Sequence, residues 1–346
     1  MCHLIAYACV ASSVLGILNA NCFADELTRK QAALLARYET ATNNVDFEAQ
    51  KDILLELSEL YNEFPDEPNT FTPDHLEFIL EDVTRAVRFT HEELEVAKKR
   101  QACRIAALQL FQRREVASAI SQMNQAIDYS KQIFGSRSFH TLQLQLNLAN
   151  EMQNSNHDRK AAIELAHHVL GILQDDKRQK CFLYYEINHA LAAIYIDEGD
   201  FSKAIAHGDI AIRELERFGV VKTVNYLNLQ GAMAAVLNLQ NNHQAAVTHA
   251  RDGLNAKYIP GGADVRYVIR LLREYARGKL ALNDFSRVPE AYEQMVRIAK
   301  STPNYPSDLI REHLLEYDRA LAIMGQEERR QWVEAEISAL EASLQR

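Results

Sequence analysis

Hydrophobic residues along most of this chain recur every three to four positions, which is the period of an amphipathic α-helix. The pattern is clearest in the stretch 189–217, HALAAIYIDEGDFSKAIAHGDIAIRELER. One apolar stripe contains Leu191 and Tyr195, and a second contains Phe201 and Ile205. Alternating β-branched runs typical of strands are missing. The sequence therefore predicts an all-α fold, with two helices joined by a tight turn in this stretch.

The turn between these two helices carries its own signals. Gly199 suits the positive φ at a helix C-terminus, and Asp200 can cap the helix that follows. Small residues such as Ala192 and Ala204 let the two helices approach closely. Neither helix can bury its apolar stripe alone, so the pair requires stacked neighbours.

The same pattern returns at a fixed spacing through the chain. Steps of 42 or 43 residues connect five alanines: Ala107, Ala149, Ala192, Ala234 and Ala276. Glycines between helix pairs keep the same step, since Gly135, Gly219 and Gly261 are separated by 84 and 42 residues. We refer to the five alanines as the register alanines. Their spacing predicts five consecutive helix pairs.

The repeated unit resembles the tetratricopeptide repeat (TPR). The matching positions are Leu191, Ala192, Tyr195, Gly199, Asp200, Phe201, Ala204 and Ala211. The resemblance implies a right-handed α-solenoid of helix hairpins, with units of about 42 residues instead of the usual 34 or so. The segment 146–150, LNLAN, is similar to the long-unit kinesin light chain subclass. The resemblance covers roughly residues 101–300.

The sequence predicts four segments: a signal peptide at 1–24, an acidic helical segment at 25–98, five TPR-like repeats at 99–300 and capping helices at 301–346. Residues 4–18 are mostly apolar and carry no charge, but the stretch is short for a membrane span. Small residues at Cys22 and Ala24 suit signal cleavage. The prediction is export to the periplasm or outside the cell, without integral membrane insertion after cleavage. Cleavage, anchoring and lipidation at Cys22 stay open.

The charge is concentrated near the N-terminus. Residues 25–98 contain 18 acidic and 7 basic side chains, within a chain of net charge −9. A nucleic-acid partner would require a basic face, so none is expected. The acidic segment is interpreted as a solvated cap, or as a segment that binds a basic partner or folds over its own groove.

Motifs for catalysis are missing from the sequence. No HExxH, CxxC, GxSxG or glycine-rich phosphate loop is present. His167 and His168 are helix neighbours that point apart, which makes them a poor metal clamp. We therefore expect no enzymatic activity, no metal and no cofactor.

The inner face of the solenoid is the expected binding surface, since the first helix of each TPR hairpin lines the concave groove. The predicted peptide-binding residues are Gln143, Asn147, Asn150, His189, Asn228, Arg270, Arg273 and Arg277. Amides both donate and accept hydrogen bonds, so they suit the backbone of an extended peptide. Asparagines at similar positions in kinesin light chains bind peptide backbone, and the resemblance implies the same here. The arginines form a one-sided stripe suited to carboxylates. A solvated amide face, and arginines paired with Glu274 or with acids of the next helix, are the alternatives.

The sequence as a whole predicts a non-catalytic scaffold that binds a protein or peptide in the concave groove. One alternative is a structural or assembly subunit that uses its convex face or the acidic N-terminal segment. The other is a peptide-sensing regulator, because the bacterial regulators of this kind also combine an N-terminal helical bundle with long TPR units. The sequence leaves the oligomeric state open.

Overall fold

A computed structural model describes residues 26–63, 73–155, 157–221, 223–256 and 265–344. This part of the chain contains fifteen α-helices and no strand. They are α1 (Glu26–Asn43), α2 (Phe47–Glu63), α3 (Pro73–Ala86), α4 (His91–Gln112), α5 (Val116–Phe134), α6 (Phe139–Asn154), α7 (Arg159–Asp175), α8 (Phe182–Glu198), α9 (Phe201–Arg217), α10 (Val224–Leu239), α11 (His243–Asn255), α12 (Val265–Ala281), α13 (Val288–Ser301), α14 (Ser307–Met324) and α15 (Glu327–Leu344). The predicted signal peptide at 1–24 lies outside the described residues.

The helices form two compact units, residues 1–220 and 221–346. Within each unit, successive helices pack against one another as hairpins. The first helices of neighbouring hairpins also touch, as α6 touches α8 in the first unit and α10 touches α12 in the second. This arrangement is that of a TPR-like solenoid, and the all-α fold prediction is confirmed.

The register alanines lie at equivalent places in the structure. Ala107, Ala149, Ala192, Ala234 and Ala276 fall in α4, α6, α8, α10 and α12, and none exposes more than 1% of its surface. Buried alanines also recur in the second helices of the hairpins, where Ala119, Ala162, Ala204 and Ala246 are fully buried. Side chains this small let the helix backbones approach, so the 42-residue period reflects the contact between the two helices of each hairpin.

Polar pairs inside the hairpins keep the same spacing. In the first unit, the ring of His207 on α9 bonds the side-chain oxygen of Asn188 on α8, with 2.9 Å between Nδ1 and Oδ1. In the second unit, His249 on α11 bonds Gln230 on α10 at 2.7 Å. Both partners are displaced by 42 residues between the two pairs. Buried polar groups require partners, so each pair fixes the alignment of its two helices.

The backbone at the turns repeats as well. After the first helix of five of the described hairpins, a residue with positive φ recurs, at Arg114, Gly199, Asn241, Asn283 and Gly325. Only Gly199 was recognised from the sequence, because glycine is the residue that takes this conformation without cost. Gly325 stands between α14 and α15, and it lies 42 residues after Asn283. The turn register therefore continues into the C-terminal helix pair.

The N-terminal helices pack on the start of the repeats. His75 and Phe78 of α3 contact the ring of Phe139, the first residue of α6, with ring centres 5.3 and 5.5 Å apart. Glu81 pairs with Arg178 at 2.7 Å, and Arg85 donates to the backbone oxygen of Phe134 at 3.1 Å. A capping box formed by Thr90 and Glu93 opens α4. Within the described residues, no helix is both long and apolar enough to cross a membrane.

Candidate functional site

A recess lies between α1, α4 and α6 in the first unit. It is lined by Tyr38 and Asn43 of α1, Arg100 and Arg104 of α4, and Gln143 and Asn147 of α6, among others. The volume of the recess that water can occupy is about 80 Å³. That is room for several water molecules or for one small polar group. Two of the predicted binding residues, Gln143 and Asn147, therefore face the same space.

Arg100 is the unusual group in this recess. Its side chain is only 4% exposed, and its Nε–H has no hydrogen-bond partner. The guanidinium carbon lies 5.3 Å from the centre of the Phe134 ring. Burial lowers the pKa of Arg100 to about 10 and nearby Arg104 adds to the fall, while Tyr38 and Asp82 act in the opposite direction. At neutral pH the group keeps its charge, and a buried charge without a hydrogen-bonded partner is costly.

The amides of the recess are only half satisfied. Gln143 donates to the side-chain oxygen of Asn147 at 3.2 Å, and Gln101 donates to that of Asn43 at 3.0 Å. The side-chain oxygens of Gln101 and Gln143 are buried and accept no hydrogen bond. Buried polar atoms usually have a partner, so two such oxygens in one recess indicate a position for a donor group.

The end of the recess is held by hydrogen bonds from Asp82 of α3. The Asp82 carboxylate accepts from the backbone N–H of His140 at 2.9 Å and bonds its Nδ1 at 2.8 Å. Because a carboxylate only accepts, Nδ1 carries the proton. Burial lowers the pKa of His140, and the bond to Asp82 partly offsets the effect. The ring also stacks on Phe134, with centres 4.6 Å apart. His140 is thus fixed as part of the wall.

Two other predicted residues of the first unit lie outside the recess. Asn150 is half-buried on α6, one helical turn beyond Asn147. His189 is half-buried on α8, where its ring stacks on Tyr185 with centres 5.8 Å apart, and burial lowers its pKa. The structure therefore brings together only Gln143 and Asn147 of the predicted set in this unit.

The predicted residues of the second unit are bonded to one another or to acids. Arg270 donates to the side-chain oxygen of Asn228 at 3.2 Å. Arg273 and Arg277 both donate to Glu274, which is 2% exposed, at 3.2 Å. Arg277 also forms a two-bond pair with Glu316 of α14, at 2.6 and 3.0 Å.

This network corresponds to the pairing alternative for the arginine stripe. Asn238 completes it, because its side-chain nitrogen donates to Glu274 Oε2 at 3.2 Å. The buried carboxylate therefore receives bonds from three side chains. A carboxylate ligand at Arg273 or Arg277 would have to compete with these internal acids.

The groups missed in the sequence are Tyr38, Arg100, Gln101 and Arg104. A signal for the last two was present, because the register applies to the first repeat as well. The residues six positions before the register alanines are all polar: Gln101, Gln143, Glu186, Asn228 and Arg270. Arg104 stands three positions before Ala107, a position that the TPR resemblance predicts to lie on the inner face of each repeat. Tyr38 has no such signal, because α1 lies outside the register.

Comparison with known proteins gives little further information. No protein-family model matches the chain, and no curated protein matches its sequence. Within the described residues, no group of three or more His, Cys, Asp or Glu is placed to hold a metal ion. Among solved structures, the crystal structure of Rap protein complexed with Competence and Sporulation Factor aligns over 98% of this chain and 95% of that chain. Its TM-score is 0.43 and its sequence identity is 11%.

Proposed function

We propose that this chain is a non-catalytic scaffold that binds an extended peptide, or a peptide-like segment of a protein, at the recess between α1, α4 and α6. The observation that supports the proposal is the pair of buried, unpaired amide oxygens of Gln101 and Gln143. A peptide backbone supplies N–H donors for them and carbonyl acceptors for the amide nitrogens. Each such hydrogen bond contributes about 1 kcal/mol net, so several must act together.

The absence of catalysis is part of the proposal. The polar groups at the recess are mainly amides and guanidinium groups, which bind ligands but exchange no proton near neutral pH. The imidazole ring of His140 is held by Asp82 and packed on Phe134. An activity would require a nucleophile or base free to reach a substrate, which this fixed ring does not offer.

Asn228 and Arg270 are predicted binding residues of the second unit, and they are considered separately from the recess. They occupy the register position of Gln143, six residues before a register alanine. Each is already the partner of the other, at 3.2 Å. A ligand there must exchange an existing hydrogen bond for a new one, which contributes less than filling an unpaired group. We therefore place the main contribution to binding in the recess of the first unit, with Asn150 and His189 as further predicted contacts of that unit. Arg273 and Arg277 stay predicted binding residues of the second unit.

Export is proposed from the sequence of residues 1–24, and the kinesin light chain-like subclass from the segment 146–150.

The contacts of α3 indicate which interpretation of the acidic N-terminal segment is favoured, since Glu81 and Asp82 bond Arg178 and His140 of the same chain. These contacts favour a segment that folds onto its own repeats over one that captures a basic partner. The assembly-subunit alternative would then rely on the convex face.

The test is retention of a mixed pool of short synthetic peptides on the immobilised full-length chain, read by mass spectrometry. The variant Gln143→Ala with Asn147→Ala removes one pair of recess amides and should lose most of the retained peptides. The control variant, Gln109→Ala with Asn154→Ala, removes one exposed amide each from α4 and α6 and should retain them. Equal retention by both variants would place the binding surface elsewhere.

A further inference from the structure

Arg100 differs from the arginines of the first unit that form ion pairs. Two of these are Arg37, which pairs with Glu56 at 2.8 Å, and Arg178, which pairs with Glu81 at 2.7 Å. Arg100 is far more buried than either, and within the described residues it forms no ion pair. The Asp82 carboxylate, whose charge acts on Arg100, is engaged by His140. The chain has an excess of acidic side chains, yet the most buried guanidinium of the described residues has no carboxylate bonded to it.

The recess has room for an anion beside this group. The volume that water can occupy is about 80 Å³, and Arg104 also lines this space. Glu39, half-buried on α1, is the acidic side chain among the lining residues. Arg100 and Arg104 are positive and Glu39 is negative, so a ligand group with one negative charge neutralises the recess. A doubly charged phosphate would be repelled more strongly by Glu39. The balance of charges favours a carboxylate.

We infer that the recess between α1, α4 and α6 recognises a carboxylate group carried by the bound peptide, with Arg100 as the principal donor. The inference rests on the proposed function and specifies its ligand class as an acidic peptide. A carboxylate bonded to a guanidinium is a strong charge-assisted pair, and it removes the cost of the unpaired buried charge. The unpaired oxygens of Gln101 and Gln143 then accept from backbone N–H groups next to that carboxylate.

Variants at Arg100 should fold normally. Arg100→Met keeps much of the volume and removes a buried charge that has no ion-pair partner, so the melting temperature should stay the same or rise. Arg104→Met is a second variant at the recess. Arg213→Met is the matched control, because Arg213 is exposed on α9 of the same unit.

The experiment compares three pools of short peptides on the immobilised full-length chain. The first pool has amidated C-termini and includes Asp and Glu. The second has free C-termini but no Asp or Glu, and the third has neither source of carboxylate. We expect the first or second pool to be retained about tenfold more than the third. Which of the two is retained identifies a side-chain or a terminal carboxylate. Arg100→Met should abolish the excess, and Arg213→Met should preserve it.

The other outcomes separate the two proposals. Equal retention of all three pools, unchanged in Arg100→Met, would leave peptide binding in place and overturn the carboxylate inference. If no pool is retained, the proposed peptide-binding function fails. The carboxylate inference is then tested by comparing the melting temperature of the protein in sodium propionate with that in propionamide. A rise in melting temperature with propionate alone, lost in Arg100→Met, would support a carboxylate site. An equal response to both compounds would overturn it.

Discussion

The carboxylate of Asp82 bonds both the backbone N–H and the ring Nδ1 of His140, at 2.9 and 2.8 Å. Asp82 lies on α3, and His140 is the second residue of α6. A negative charge at a helix N-terminus stabilises that helix, and here it comes from a different helix. The pair therefore couples the docking of the N-terminal helices to the orientation of α6, which carries Gln143 and Asn147.

Replacing Asp82 by Asn should destabilise the fold. The variant loses the charge from both hydrogen bonds, and bonds to charged groups contribute about 1.5–3 kcal/mol each. Urea unfolding should show a loss of about that size. The matched control is the neighbouring variant Glu81→Gln, which breaks an exposed ion pair with Arg178 and should cost less than about 1 kcal/mol. Equal losses in the two variants would mean that the buried pair has no special role.

His75 should make stability depend on pH. Burial against aromatic rings lowers its pKa to about 3, below the usual value of about 6.5. Between these two values the unfolded chain binds a proton that the folded chain excludes, so the free energy of unfolding falls as the pH falls from 6.5 towards 3. The contribution of His75 between pH 6.5 and 5 is about 2 kcal/mol.

Urea unfolding of His75→Phe at the two pH values tests this assignment. The variant keeps a planar ring among Phe139 and Phe182, and it should lose less stability on acidification than the natural sequence. The variant His91→Phe is the control, since His91 is exposed at the start of α4. A pH dependence that is the same in all three proteins would exclude His75 as its source.

Glu274 should be essential to the second unit. It is 2% exposed and accepts hydrogen bonds from Asn238, Arg273 and Arg277. Glu274→Ala leaves these donors without their shared acceptor, and the loss should be about 3 kcal/mol. Glu312→Ala removes an exposed carboxylate from α14 and should change stability by less than about 0.5 kcal/mol. A small effect of Glu274→Ala would instead indicate that the arginines are free to bind a ligand.

Overpacking tests the contact between the two helices of a hairpin. Ala204 of α9 is fully buried, whereas Ala206 of the same helix is exposed. Ala204→Leu forces extra methyl groups into a packed interface and should cost about 1–3 kcal/mol. Ala206→Leu should have little effect on the melting temperature. If the two variants melt alike, Ala204 does not lie at the helix contact.

The fold could be predicted from the sequence because its main determinant is periodic. Small residues at Ala107 and its equivalents must recur wherever two helices touch, so the hairpins are visible in the spacing alone. The recess could be predicted only in part. Gln143 and Asn147 follow from the register, but the burial of Arg100 depends on the packing of α1 and α3, which have no register. Likewise, the sequence shows Arg273 and Arg277 as a stripe but does not decide between Glu274 and a ligand as their partner.

The turn register provides a final test, at the one position where a bulky side chain adopts positive φ in this series. Arg114 has φ of 62° and occupies the place that glycine holds at Gly199 and Gly325. A left-handed conformation costs an L-residue roughly 1–2 kcal/mol, and glycine avoids that cost but loses more entropy on folding. Arg114→Gly should therefore stabilise the chain by about 0.5–1 kcal/mol in urea unfolding. The adjacent variant Arg113→Gly should destabilise it by a similar amount, because Arg113 has φ of −82°. Opposite changes in stability at these two neighbouring positions would show that the feature recurring from repeat to repeat is the backbone conformation of the turn. The sequence displays this conformation only where the residue is glycine.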